Sequence, residues 1–126
     1  MIFGIGVDIC QLSRIEASLE RFGERFAKRI LDPQELQDFQ KTRRPARFLA
    51  MRFAAKEATS KALGTGFKQG VAPRQIGLRH EPSGKPGLVC NGKALELLQS
   101  HGIMTCNISL SDEADFAIAF VILEKA

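Results

Sequence analysis

Residues 45–66, PARFLAMRFAAKEATSKALGTG, decide the fold. A proline opens the stretch at the first helical position, where its missing N–H is one that a helix start leaves unbonded anyway. No proline or glycine follows until Gly64, which with Gly66 is a residue able to close a helix in a left-handed conformation. The spacing predicts the longest helix of the chain. Met51, Ala54, Ala55, Ala58 and Ala62 give it an unusually small-residue face, which permits close packing against a sheet or another helix. Glu57 and Lys61 stand four apart and share a face, with Phe53 one turn before them.

Upstream, residues 2–10, IFGIGVDIC, alternate Ile5, Val7 and Ile9 with Gly4, Gly6 and Asp8. That period of two predicts a strand with Asp8 near its end. Two outward glycines weaken a strand, so they call for a reason such as close approach by a ligand or another backbone. In QLSRIEASLERFGERFAKRIL (11–31), Ile15, Leu19, Phe22, Phe26 and Ile30 step by three or four and form a helical core stripe. Arg14, Arg21, Arg25 and Lys28, joined by Arg29, make a second stripe, and Gly23 divides the stretch into two helices. Asp32-Pro33 caps a short helix running to about Thr42, whose QELQDFQ portion reads as solvated.

Downstream of the long helix comes a loop rich in glycine and basic residues, GTGFKQGVAPRQ (64–75). The second half then reads as strand Ile76–His80, turn 81–87, strand Leu88–Cys90, a helix from Gly92 to His101 ended by Gly102, and strands Thr105–Leu110 and Phe116–Leu123 closing a hairpin across 111–115. The expected architecture is α+β: one domain over 1–126, with an antiparallel sheet packed against one long helix and shorter helices.

The chain's 126 residues suffice for one core, and 44% hydrophobic with 25% charged residues is ordinary for a globular protein. No apolar run approaches the ~20 residues that cross a bilayer. Met1–Gly4 lacks the basic start of a signal peptide, and three scattered cysteines fit free thiols in a reducing compartment, so the expectation is a cytoplasmic protein off the membrane. A net charge of +4 favours an anionic partner without naming it: RNA, a nucleotide-like cofactor, a membrane surface or an acidic protein. With no Trp, no Tyr and nine Phe mostly at core-like positions, platforms for stacking nucleic-acid bases are missing.

Three residues could carry chemistry. Asp8 either caps the helix starting near Leu12 or serves as a ligand. Glu57 and Lys61 are either an exposed pair contributing about 0.3–0.5 kcal/mol or a functional unit. Taken together, two hard oxygen ligands suit Mg²⁺, which fills its shell with water and phosphate oxygens, and Lys61 would point its ammonium at the same phosphates. That arrangement serves phosphoryl-type transfer, where positioning and charge neutralisation dominate.

GIGVDICQLSRIE (4–16), followed by RFAAKEATSKALGTG (52–66), the GKP turn Gly84-Lys85-Pro86 and NISLSDEADFAIAFVILE (107–124), closely resembles the holo-acyl-carrier-protein synthases. These are the small single-domain 4′-phosphopantetheinyl transferases, and the resemblance spans essentially the whole chain. It implies an enzyme that moves the 4′-phosphopantetheine arm of coenzyme A onto a serine of an apo acyl carrier protein and releases adenosine 3′,5′-bisphosphate, in support of fatty acid biosynthesis. It assigns Asp8 and Glu57 to a Mg²⁺ bridging the coenzyme's diphosphate and Lys61 to charge neutralisation, with Glu57 or a metal-bound water as the base. Mg²⁺ and Mn²⁺ are not distinguished. Coenzyme A contacts would fall to Asp8, Lys61, Gly64, Lys68, Gly84, Lys85, Pro86, Ser109 and Ser111. The basic stripe, Arg14 first, then Arg21, Arg25 and Lys28, would receive the acidic carrier. A homotrimer with active sites between protomers is implied as well.

The chain departs from the pattern at Ser109-Leu110-Ser111-Asp112, where many relatives carry a Ser-His pair. An aspartate cannot donate to a phosphate as an imidazolium could, so Asp112 is given no catalytic weight. The two histidines, His80 and His101, fall at a strand end and a helix end, with surface or capping roles. Competing readings are an enzyme for carrier domains of polyketide or peptide synthases, whose usual modifying enzymes are about twice this length, and a basic RNA-binding protein. The RNA reading leaves the carboxylate pair unexplained and predicts steep salt dependence without a Mg²⁺ requirement.

Overall fold

The computed structural model describes residues 1–126. In chain order they form β1 (Ile2–Gln11), α1 (Leu12–Phe22), α2 (Glu24–Ile30), α3 (Pro33–Lys41), α4 (Pro45–Leu63), a 3₁₀ turn (Pro73–Gln75), β2 (Ile76–His80), β3 (Pro86–Cys90), α5 (Gly92–Ser100), β4 (Ile103–Glu113) and β5 (Phe116–Lys125). The expected α+β architecture with one long helix holds. The expected single sheet is two: a three-stranded antiparallel sheet ordered β1-β5-β4, and the separate hairpin β2-β3. β3 comes close to β4 without joining its ladder. No helix is long and apolar enough to cross a membrane.

Helix α4 lies against β1 and β5, with Ala54, Ala55, Ala58 and Ala62 buried at the contact. The glycines of β1 point into this contact rather than outward. A Cβ added to Gly6 would fall on the backbone carbonyl oxygen of Ala58, and one added to Gly4 on that of Ala62. Available space therefore sets the facing of β1, against the hydropathy pattern. Strand side chains alternate, so Gly6, Asp8 and Cys10 share the inner face while Ile5, Val7 and Ile9 point away from the core, Val7 53% and Ile9 61% exposed.

Gly23, at φ +62° and ψ −147°, breaks the helical run between α1 and α2 as expected. Ile15 and Ile30 are buried and Leu19 and Phe26 pack against the same core, so the stripe holds on both sides of the break except at Phe22. Phe22, expected in the core, is exposed, and Phe26 is half-buried. The hairpin at the C-terminal end is tighter than expected: β4 and β5 run to Glu113 and from Phe116, leaving only Ala114 and Asp115 as the turn.

The polar segment of α3 is a further correction. Asp32 and Glu35 form a capping box, but Glu35 is 1% exposed instead of solvated. Its Oε1 accepts from the ammonium of Lys56 at 2.6 Å, and its Oε2 from the Leu78 N–H at 2.9 Å. Lys56, 0% exposed, also donates to the carbonyls of Ile76 (2.6 Å) and Pro73 (3.1 Å). Arg79 donates to Asp32 Oδ2 at 2.8 Å. A buried charge persists only when its hydrogen-bonding groups are met, and here they fasten α3, α4 and β2 together. Burial, more than any other cause, pushes Lys56 below the ordinary lysine range, with Glu35 opposing that shift.

Candidate active site

Asp8 does not cap α1. The N-cap of that helix is Gln11, which makes no side-chain cap bond, and Asp8 sits within the β1–β5 ladder opposite Ala119. Because β1 is an edge strand, its inner face opens sideways into a cleft of about 550 Å³. Asp8, Cys10 and Ile9 of β1, Arg14 and Ile15 of α1, Phe26 of α2, and Phe53 and Glu57 of α4 all line it. The structure thus brings Asp8, Glu57 and Arg14 together.

Lys61 reaches across from the last turn of α4. Its Nζ donates to Asp8 Oδ1 at 3.1 Å and to the Val7 carbonyl at 3.0 Å, so its partner is Asp8 rather than the helical neighbour Glu57. Burial, and secondarily the charge of Asp8, push the Glu57 carboxyl above the usual range, with Lys61 pulling the other way. Cys10 lies in the same cleft, but burial and the nearby Asp8 raise its thiol to about 11, leaving it protonated and unreactive at neutral pH.

The donor set bears on which ion could sit here. No group of three or more His, Cys, Asp or Glu side chains is placed so that it could hold a metal ion by itself. Two carboxylates lining an open cleft fit a hard ion that keeps water or substrate oxygens, and do not fit a closed protein cage.

The remaining expected contacts are spread out. Arg21 and Arg25 lie exposed on α1 and α2, and so does Lys28. Arg21 packs over the Phe22 ring at 5.1 Å, while Arg25 and Arg29 flank a second groove of about 330 Å³ with Phe22 and Phe26. Gly64 closes α4 in the left-handed conformation at φ +86°. Lys68 is exposed in the following loop; Gly84 and Lys85 belong to the β2–β3 turn, closed by Glu81 N–H to Lys85 O at 2.9 Å, and Pro86 opens β3 opposite His80. None of these lines the cleft. Ser109 and Ser111 pair with Phe120 and Ile118 on the outer sheet face, opposite to Asp8, so one chain does not bring them to the site.

A basic cluster was not foreseen. Arg44, Arg47, Arg52 and His80 line a cavity of about 260 Å³ with Phe48 and Leu110. The Arg52 guanidinium lies 3.5 Å from the Phe48 ring centroid, and its Nε is buried without a partner. Burial lowers the affinity of Arg52 for its proton, and burial with the facing Arg52 lowers that of His80. Asp112, set aside in the sequence, pairs with Arg47, and that bond holds its carboxyl below the usual range. A signal did exist: RRPAR (43–47) places three arginines at a helix start, where the helix dipole disfavours cations unless an anion is at hand.

The chain and its fold are similar to those of known proteins. Residues 4–121 match the family model of the 4′-phosphopantetheinyl transferase superfamily. The holo-[acyl-carrier-protein] synthase of Halorhodospira halophila is 53% identical over 123 residues, 98% of each chain. The crystal structure of holo-[acyl-carrier-protein] synthase from Neisseria meningitidis superposes with a TM-score of 0.93 at 48% identity, covering 99% of this chain and 100% of that one. The Helicobacter pylori holo-[acyl-carrier-protein] synthase, solved in complex with coenzyme A, gives 0.83 at 32% identity over 95% and 99%.

Proposed function

The chain belongs to the 4′-phosphopantetheinyl transferase superfamily, and from that premise we infer that it transfers 4′-phosphopantetheine from coenzyme A to a serine of an apo acyl carrier protein. The observation that carries this reading is the cleft in which Asp8, Glu57 and Arg14 converge, with Lys61 held on Asp8. In the transfer, the serine oxygen forms a bond to the phosphorus bearing the pantetheine arm. The bond from that phosphorus to the adenosine 5′-phosphate oxygen breaks, releasing adenosine 3′,5′-bisphosphate, and the serine proton passes to a base.

Asp8 and Glu57 would hold a Mg²⁺, which when bound neutralises the diphosphate oxygens and orients them. Lys61, on a flexible stem, would follow the charge that builds on the leaving phosphate. Glu57, made more basic by burial and Asp8, is suited to take the serine proton. Arg14 at the cleft, followed by Arg21, Arg25 and Lys28 along α1 and α2, would steer and orient an acidic carrier. The arginine cluster around Arg52 offers a separate anion-friendly region, with a buried donor still unpaired.

The apolar outer face of the sheet supports assembly of copies, for which the trimer implied by the resemblance is the proposed form, with Ser109 and Ser111 then acting at a neighbour's site. Three free cysteines support a cytoplasmic setting, and fatty acid biosynthesis is the proposed context. The test is to incubate the protein with Mg²⁺, coenzyme A and apo carrier and to weigh the carrier by mass spectrometry. The expected result is the added phosphopantetheine mass; an unchanged carrier under every divalent ion tried sinks the proposal.

A further inference from the structure

We propose that Lys61 competes with the divalent ion for Asp8, so that the ion and the coenzyme's diphosphate bind cooperatively through release of this one side chain. The proposal rests on the reading of Asp8 and Glu57 as the ion's ligands.

The Lys61 ammonium has two acceptors, Asp8 Oδ1 at 3.1 Å and the Val7 carbonyl at 3.0 Å. Together they anchor it at the edge of β1. The Asp8 side chain is only 15% exposed, so few directions of approach to its carboxylate remain, and Lys61 covers one of them. Arg14 brings a second positive charge to the cleft, and Glu57 is the one other acid lining it. Two cations sharing a carboxylate repel each other, so Lys61 weakens the site for an ion that arrives alone.

The Lys61 side chain is itself 50% exposed, on a four-carbon stem that reorients freely. A diphosphate in the cleft offers its ammonium new acceptors of higher charge density than one carboxylate. Once Lys61 turns to the diphosphate, Asp8 loses its competitor. The linkage is reciprocal: whichever ligand binds first eases entry of the other by the same factor.

The test reads ion binding directly, using Mn²⁺ as a paramagnetic probe with and without coenzyme A. Lys61→Met keeps the length of the stem and removes the charge at a half-exposed position. It should bind Mn²⁺ alone about five- to tenfold more tightly than the wild type. The gain in Mn²⁺ affinity on adding coenzyme A should shrink relative to the wild type. Asp8→Asn should abolish the Mn²⁺ site in either background. Unchanged or weaker Mn²⁺ binding by Lys61→Met, with Asp8→Asn still abolishing it, overturns the competition and leaves the ligand assignment standing. Mn²⁺ binding that survives Asp8→Asn overturns both.

Discussion

Glu57 is where burial and chemistry meet. Burial and the Asp8 charge raise its pKa above the usual carboxyl value, so the fold disfavours the ionised form that the proposed chemistry requires. A carboxyl raised in the folded state contributes stability below its unfolded pKa and loses it as pH rises through the folded one. At neutral pH the fold therefore carries a destabilising charge, and Glu57→Gln should melt above the wild type at pH 7, with the difference vanishing near pH 4. The same substitution should lower kcat by about 10²–10⁴ if Glu57 takes the serine proton. The wild-type rate should fall as pH drops through the raised pKa. A variant that is more stable and inactive, measured by calorimetry and carrier mass, separates this role from the exposed helix pair the spacing also allowed. Arg14→Ala should instead raise the KM for the carrier and leave that for coenzyme A in place.

At the scale of elements, the pairing of β1 with α4 puts Asp8 beside Glu57 and Lys61. Gly6→Ala would set a methyl against the Ala58 carbonyl, a rigid neighbour, and should destabilise by about 1–3 kcal/mol while moving Asp8 off the cleft. Transfer activity should fall along with the melting temperature. The buried Glu35–Lys56 pair makes a second case. Lys56→Met leaves Glu35 buried with its charge partner gone and should cost about 3–5 kcal/mol, whereas replacing both partners with apolar residues should cost far less. A denaturant titration of single and double variants checks this through their coupling. These two contacts also separate what local sequence signals encode from what only the folded packing decides. The long helix, the Gly23 break and the Asp32 cap were legible because caps, glycines and period-3.6 stripes are local signals. The facing of β1 was not, since the apolar residues that should seek the core are displaced by the need for glycine against α4. Glu35 looked solvated because its partner lies twenty-one residues on, and no short-range pattern announces a burial satisfied at that distance. Asp8, Glu57, Lys61 and Arg14 were legible as motif residues. The Arg52 cluster was not, because β2 and β4 supply part of its walls.

For the molecule as a whole, the outer face of the three-stranded sheet is hard to reconcile with an isolated chain. Ile5, Val7 and Ile9 of β1 and Phe116 and Phe120 of β5 are all exposed large apolar residues, and Val7 stands directly opposite Phe120 in the ladder. A contiguous apolar sheet face of this kind marks a surface that another body covers. Ser109 and Ser111 lie on that same face, turned away from Asp8. If those serines contact coenzyme A, the contact has to be made at a neighbouring copy, because the sheet separates them from their own cleft. Assembly and activity are then one property. Val7→Asp places a carboxylate opposite Phe120 at the middle of the face, where burying it under another copy is costly. The variant should keep its fold, since Val7 adds nothing to the core, but sediment as a monomer and lose transfer at concentrations where the wild type is assembled and active. A wild-type chain that sediments as a monomer while fully active would remove the need for a neighbour, and with it the proposed role of Ser109 and Ser111.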